Sequence, residues 1–172
     1  MTFPKLPLFL FFLTVSALPI PAHAVYPKIS IGGDYMLLLK TDGTVWAWGN
    51  NSGNGSLGTG NRDTSKSPVQ VVGLTGVIDV VATSGSFSMA LKADGTVWVW
   101  GNISNGLSGA VTSGGVFSSV PQQLPSLHSI VSIASNGSTA FATDSAGNVW
   151  SWGSGHYGML GDDHCGWSIP LL

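Results

Sequence analysis

The residues best suited to chemistry stand close together near the end of the chain: His156, Asp162, Asp163, His164 and Cys165. Imidazole, thiolate and carboxylate form the donor set of zinc and copper sites. The spacing argues against such a site. Neither a CxxC nor an HxxxH pair is present, so a solvated loop is expected, with no metal and no cofactor. Cys165 is the only cysteine, so an intramolecular disulfide is excluded; it is an incidental thiol or the donor of an intermolecular disulfide. Asp42 and Asp94 could serve as general acids or bases. Each precedes a glycine, Gly43 or Gly95, and reads instead as a turn residue whose carboxylate bonds its own backbone. His128 stands alone between Leu127 and Ser129, and no Ser-His-Asp set is suggested. Gly32-Gly33, Gly114-Gly115 and the 53–60 stretch lack the Gly-Lys-Ser/Thr ending of a phosphate cradle. Asn50, Asn102 and Asn136 open Asn-x-Ser sequons, two of them at one repeat position, which explains them more simply than glycosylation. These residues describe a protein that is not an enzyme.

The Asp-Gly pairs belong to a larger pattern. Asp42-Gly43-Thr44-Val45-Trp46-Ala47-Trp48-Gly49-Asn50 returns at 94–102 and, more loosely, at 146–154, a period of 52 residues. A fixed period of this size marks a repeated supersecondary unit that buries its faces against its neighbours. Trp46 and Trp48, Trp98 and Trp100, and Trp150 and Trp152 are each two apart, so each pair shares one face of a strand. They could stack on sugars or bases. With Val or Ala on the other face, packing in the core is the stronger reading. Asp42-Gly43, Asp94-Gly95 and Ala146-Gly147 are expected as two-residue hairpin turns with φ > 0 at both positions. Gly49, Gly101 and Gly153 are expected to end the tryptophan strands.

In the middle unit, 77–82, 88–92, 96–100 and 120–124 read as four short strands in an up-and-down meander. The fold class is therefore all-β, with each unit a blade of a β-propeller. Loops 50–66, 102–119 and 154–167 gather at one rim, where contacts are presented. Tyr157 and Trp167 lie off the repeated strands and are the aromatics expected there.

The first residues carry a different signal. Lys5, an apolar run from Leu8 to Leu18 and an Ala22-His23-Ala24 site match a secretory leader cut between Ala24 and Val25. The run is too short for the ~20 residues of a bilayer span, so no membrane anchor is expected to be retained. The domain reading is a leader at 1–24 and repeats at 25–76, 77–128 and 129–172, the last incomplete. The formal net charge is −2, with no glutamate and no basic stripe, which removes the electrostatic footprint of nucleic-acid binding.

The run Gly85–Gly101, the quartets Gly55-Ser56-Leu57-Gly58 and Gly158-Met159-Leu160-Gly161, and Pro68-Val69-Gln70-Val71 together resemble the regulator of chromosome condensation repeats, in the form carried by exported bacterial proteins. The resemblance covers 29–172. In the second repeat only Gly106-Leu107-Ser108-Gly109 remains of the quartet. The resemblance implies a propeller normally of seven blades, which would need about 364 residues at this period. Three repeats imply a partial propeller of about three blades. Its open blade faces are expected to carry apolar groups such as Val45, Ala47 and Val149 and to drive self-association. The expected role is a non-enzymatic exported scaffold for a protein or cell-surface partner. The resemblance also implies a second role, nucleotide exchange on a GTPase with chromatin association.

Overall fold

The structure, a computed structural model, describes residues 25–109, 115–161 and 167–168, the last two as main chain only. The leader with Ala24, and Asp162, Asp163, His164, Cys165 and 169–172, lie outside the described residues.

Among the described residues, twelve strands form three four-stranded antiparallel sheets. Blade 1 is β1 (Lys28–Ile31), β2 (Tyr35–Leu39), β3 (Val45–Gly49) and β4 (Ser65–Gln70). Blade 2 is β5 (Val77–Ala82), β6 (Phe87–Lys92), β7 (Val97–Asn102) and β8 (Phe117–Gln123). Blade 3 is β9 (Ile130–Ser135), β10 (Thr139–Asp144), β11 (Val149–Ser154) and β12 (Trp167–Ser168). Each sheet follows chain order, and β5 adjoins β1 on one side and β9 on the other at the inner edge of an open arc.

The outer strands begin earlier than the sequence suggests. Gly49 pairs with Ser65, Gly101 with Ser118 and Gly153 with Ser168, beyond an irregularity in the first two ladders. Gly101 and Gly153 therefore do not end their strands; β7 and β11 run one residue further. Trp167 is likewise a strand residue in β12 rather than part of a rim loop.

The hairpins also differ from expectation. Gly43, Gly95 and Gly147 have φ of 76°, 79° and 89°, whereas Asp42, Asp94 and Ala146 are not among the positive-φ residues. The Lys40 N–H donates to Thr44 O, and the Gly43 N–H to Lys40 O. This is a three-residue loop, a turn closed by a left-handed glycine. Only the glycine needs φ > 0. The same glycine touches the next blade. Gly43 O accepts from Val77 N–H and Gly95 O from Ile130 N–H, each at 3.1 Å.

The core lies between blades. Tyr35, Leu37, Leu39, Val45 and Ala47 of blade 1 meet Val80, Ala82, Ala90 and Trp100 of blade 2 in one buried cluster. Phe87, Met89, Leu91, Val97 and Val99 meet Ile133, Ala140, Ala142 and Trp152 in a second. Each Trp strand thus faces backward with its indoles and forward with its aliphatics. Val45 and Ala47 are completely buried against blade 2, which corrects their assignment to an open face. The open face of blade 1 is the opposite one. There Ile29 and Ile31 are 60% and 69% exposed, beside Met36 and the half-buried Trp48. The forward face of blade 3 carries Thr139, Phe141, Thr143, Val149 and Ser151, hydroxyls standing where blade 2 has Phe87, Leu91 and Val99.

Candidate functional site

Connections at the two ends of the strands have different tasks. One end carries the Asp-Gly hairpins, and its polar network is structural. The Asp42 carboxylate accepts from Thr44 N–H at 2.9 Å and from Thr44 Oγ1–H at 2.6 Å, and Trp46 Nε1–H donates to Thr44 Oγ1 at 3.2 Å. Asp94, Thr96 and Trp98 repeat the relay. Lys40 Nζ sits 3.9 Å from the centre of the Trp46 ring. Hydrogen bonding from the threonine hydroxyls holds both aspartates below the usual carboxylate range. A depressed carboxyl is a poor proton donor or base near neutrality, so these groups fasten an indole to its turn.

Blade 3 lacks the aspartate and solves the problem differently. Ala146 replaces it, and Asp144 takes the lysine position. Asp144 accepts from Ala146 N–H, Asn148 N–H, Asn148 Nδ2–H and, at 3.3 Å, Trp150 Nε1–H. Asn148 and these neighbours lower its pKa as well. Sequence reasoning missed this exchange. Its signal was present in the paired swap of Lys for Asp at 144 and Thr for Asn at 148.

The opposite end joins the β1–β2-type turns to the long β3–β4-type loops. Asn50 N–H donates to Asp34 O, Asn102 N–H to Ser86 O and Ser154 N–H to Ser138 O. In the first loop, the buried Asn51 closes the chain on itself. Its Nδ2 donates to Asn61 O and Asp63 O, and its Oδ1 accepts from Leu57 N–H. The loop then crosses to blade 2, where Ser56 O accepts from Trp100 Nε1–H and Ser88 Oγ–H, and Gly60 N–H reaches Ser119 O. Tyr35 adds a second cross-link that the sequence did not reveal. Its hydroxyl donates to Phe87 O at 2.7 Å and shares a bond with Ser88 Oγ at 2.8 Å. Burial pushes its pKa up to about 12.

The framework leaves a few large side chains outside. Arg62 lies 5.9 Å from the Phe117 ring centre, Phe117 is 40% exposed, and Tyr157 is 98% exposed. The tryptophans divide as their neighbours dictate. Trp46, Trp98 and Trp150 are half-buried over the hairpins; Trp100 and Trp152 are buried, and Trp48, with no blade before it among the described residues, is half-buried. Gly49, Gly101 and Gly153 have φ of 110°, 83° and 101°. His128 is exposed in the β8–β9 connection. Of the polar cluster near the end, only His156 is among the described residues, and no group of three metal-ligating side chains occurs among them. No helix among the described residues is long and apolar enough to cross a membrane. Val25, the residue after the expected cut, packs partly buried against the first core cluster.

Three meander blades with this spacing invite comparison with known repeats. Residues 42–91 match the regulator of chromosome condensation (RCC1) repeat, and 28–55 and 77–106 match a second description of it. Residues 28–106 carry RCC1 repeats. The RCC1 domain-containing protein RUG3, mitochondrial, of Arabidopsis thaliana is 35% identical over 150 residues, covering 86% of this chain and 32% of RUG3. The human E3 ubiquitin-protein ligase HERC2 is 30% identical over 152 residues, covering 83% of this chain and 3% of HERC2. Human WBSCR16 superposes with a TM-score of 0.70 at 24% identity, over 86% of this chain and 38% of that one, a likeness of fold. Prp20p of Saccharomyces cerevisiae, described with its binding properties to Gsp1p and histones, gives 0.62 at 25% identity, over 80% and 34%. The RCC1-repeat chain thus spans about a third of RUG3 and of each solved structure. These relatives are eukaryotic, so the likeness to an exported bacterial form remains an expectation from the repeat residues alone.

Proposed function

We propose that this RCC1-repeat chain is a non-enzymatic scaffold that binds a protein through the loop-bearing end of its blades. The observation that carries the reading is the contrast between the two ends. The hairpin end spends its polar groups on its own turns and on the next blade. The loop end holds its backbone by internal bonds such as those of Asn51 while Arg62, Phe117 and Tyr157 stay outside. Arginine and aromatic side chains on a rigid base are the usual centres of protein interfaces. Prp20p, which binds Gsp1p and histones, lends support by analogy. The leader at 1–24 motivates the further proposal that the scaffold acts outside the cell.

The experiment pairs the tagged full chain with a variant at each end, expressed in the organism that carries it. Arg62→Glu with Phe117→Ala should reduce capture of the partner, rechecked with purified components, at least tenfold. His128→Glu at the hairpin end should leave it unchanged. Equal loss from both ends, or from neither, overturns the reading. A mature N-terminus at Val25 supports export, and one at Met1 removes it.

A further inference from the structure

The loop after β11 places a bulky aromatic where the backbone disfavours one. Tyr157 has φ of 61°, in the left-handed region that a residue of its size enters rarely. Its repeat equivalent, 52 residues earlier, is Asn105 with φ of 60°. Each is followed by a left-handed glycine, Gly106 or Gly158. In blade 1 the matching quartet opens at Gly55, and the Asn54 before it is not among the positive-φ residues. One conformation therefore recurs in blades 2 and 3. Blade 2 fills it with a residue type that tolerates it, and blade 3 fills it with tyrosine.

The exposure of Tyr157 does not come from the open end of the arc. Asn105 is exposed too, although blade 3 follows it. The position points to solvent even where a next blade is in place. Nor is the base of the loop loose. Gly158 N–H donates to Gly155 O, Met159 N–H to His156 O and Gly161 N–H to Gly158 O. Leu160 is fully buried, and its carbonyl accepts from Ser151 Oγ–H at 2.9 Å. A ring on a short stem over such a base loses little freedom when bound. Strain of this kind persists where function uses it.

We infer that Tyr157 is the anchor of the loop end, inserting its ring into an apolar-walled pocket of a partner protein that also offers its hydroxyl a hydrogen bond. The inference rests on the protein-scaffold reading above. The ring stands on a tip between Gly155 and Gly158, the shape of a plug rather than of a flat stacking platform.

The test uses the full chain with p-benzoylphenylalanine at position 157, irradiated in the organism that carries it, with the same group at His128 as control. A protein adduct from 157 that is missing from 128 is expected. With that protein purified, Tyr157→Asn should weaken binding at least tenfold, and Tyr157→Phe should restore all but a few-fold of it. Tyr157→Asn should also raise the melting temperature by about 2–4 °C, because Asn relieves the strained backbone. No adduct above the control, an adduct to glycan alone, or unchanged binding by Tyr157→Asn overturns the anchor. If Arg62→Glu with Phe117→Ala abolishes binding while Tyr157→Asn does not, the anchor fails and the scaffold stands. If neither variant matters, the scaffold reading fails first.

Discussion

Trp100 Nε1–H donates to the carbonyl oxygen of Ser56 at 2.9 Å, tying the indole of blade 2 to the loop of blade 1. The corresponding nitrogen of Trp152 is buried without a hydrogen-bond partner among the described residues, as is the hydroxyl of Ser108. The loop before Trp152 differs. Leu107 Cδ2 stands beside Gly153 where Ser56 Cα stands beside Gly101. The two junctions therefore share a shape and differ in polar satisfaction.

Truncating the indoles should separate packing from hydrogen bonding. Trp100→Ala is expected to cost ~3–5 kcal/mol, as for large aromatic losses in cores. Trp100→Phe also strands the Ser56 carbonyl and should cost at least ~1 kcal/mol. Trp152→Phe removes a donor that has no acceptor, so its penalty should be clearly smaller than that of Trp100→Phe. Urea unfolding of the three variants checks the ranking; equal costs for the two Phe variants would contradict it.

Acid should loosen the hairpin end. The folded pKa values of Asp42 and Asp94 lie below their unfolded values because the threonine hydroxyls bond the carboxylates. Their stabilisation is therefore fully present above the ordinary carboxylate range and is lost as pH falls through the depressed values. Asp42→Asn with Asp94→Asn should lower the melting temperature at pH 7 and flatten its decline between pH 5 and pH 2. Melting curves across that range decide; an unchanged acid slope would mean the relay carries no stability.

Blade 3 should respond to rewiring of its own turn. Asp144→Ala removes the acceptor for Ala146, Asn148 and Trp150 at once. It should lower the melting temperature more than Asp42→Ala does. Combining Asp144→Lys, Ala146→Asp and Asn148→Thr rebuilds the relay of the other blades and should recover most of the loss. Failure of the triple variant to improve on Asp144→Ala would refute the exchange.

Two glycines with the same backbone sign should differ in tolerance. Gly73, φ 70°, has open space around its Cβ position, so Gly73→Ala should cost about 1 kcal/mol of backbone strain. Gly95, φ 79°, would place a Cβ 2.9 Å from Ser129 Cα and 3.1 Å from Ile130 N. Gly95→Ala should cost several-fold more, because the hairpin must leave the next blade. Denaturant midpoints measure both.

The open backward face of blade 1 should make the chain associate. Ile29, Ile31, Met36 and Trp48 form an apolar patch that no blade among the described residues covers, and such patches favour contact. Purified 25–172 should grow in mass with concentration by light scattering, and Ile31→Lys with Met36→Lys should suppress the growth. A monodisperse monomer with a cooperative melt at all concentrations would remove this expectation.

Local patterns determined much of this protein from sequence alone. The 52-residue period, the Trp-x-Trp alternation and the Asp-Gly pairs specify a four-stranded meander repeated three times, because side-chain period and turn chemistry are properties of neighbouring residues. The same logic placed the aspartates in turns rather than in chemistry. It could not say which face of a strand meets which neighbour. Alternation defines two faces on β3 without assigning either, so Val45 and Ala47 fell on the wrong side until the stacking direction of the blades was known. Nor could it find the Tyr35 hydroxyl on Phe87 O, or Asp144 standing in for the absent turn aspartate. Those contacts join residues by geometry rather than by spacing. The left-handed backbone at Tyr157 became visible only when the loops of blades 2 and 3 could be laid over one another in space, since a dihedral angle leaves no mark in the residue type that violates it.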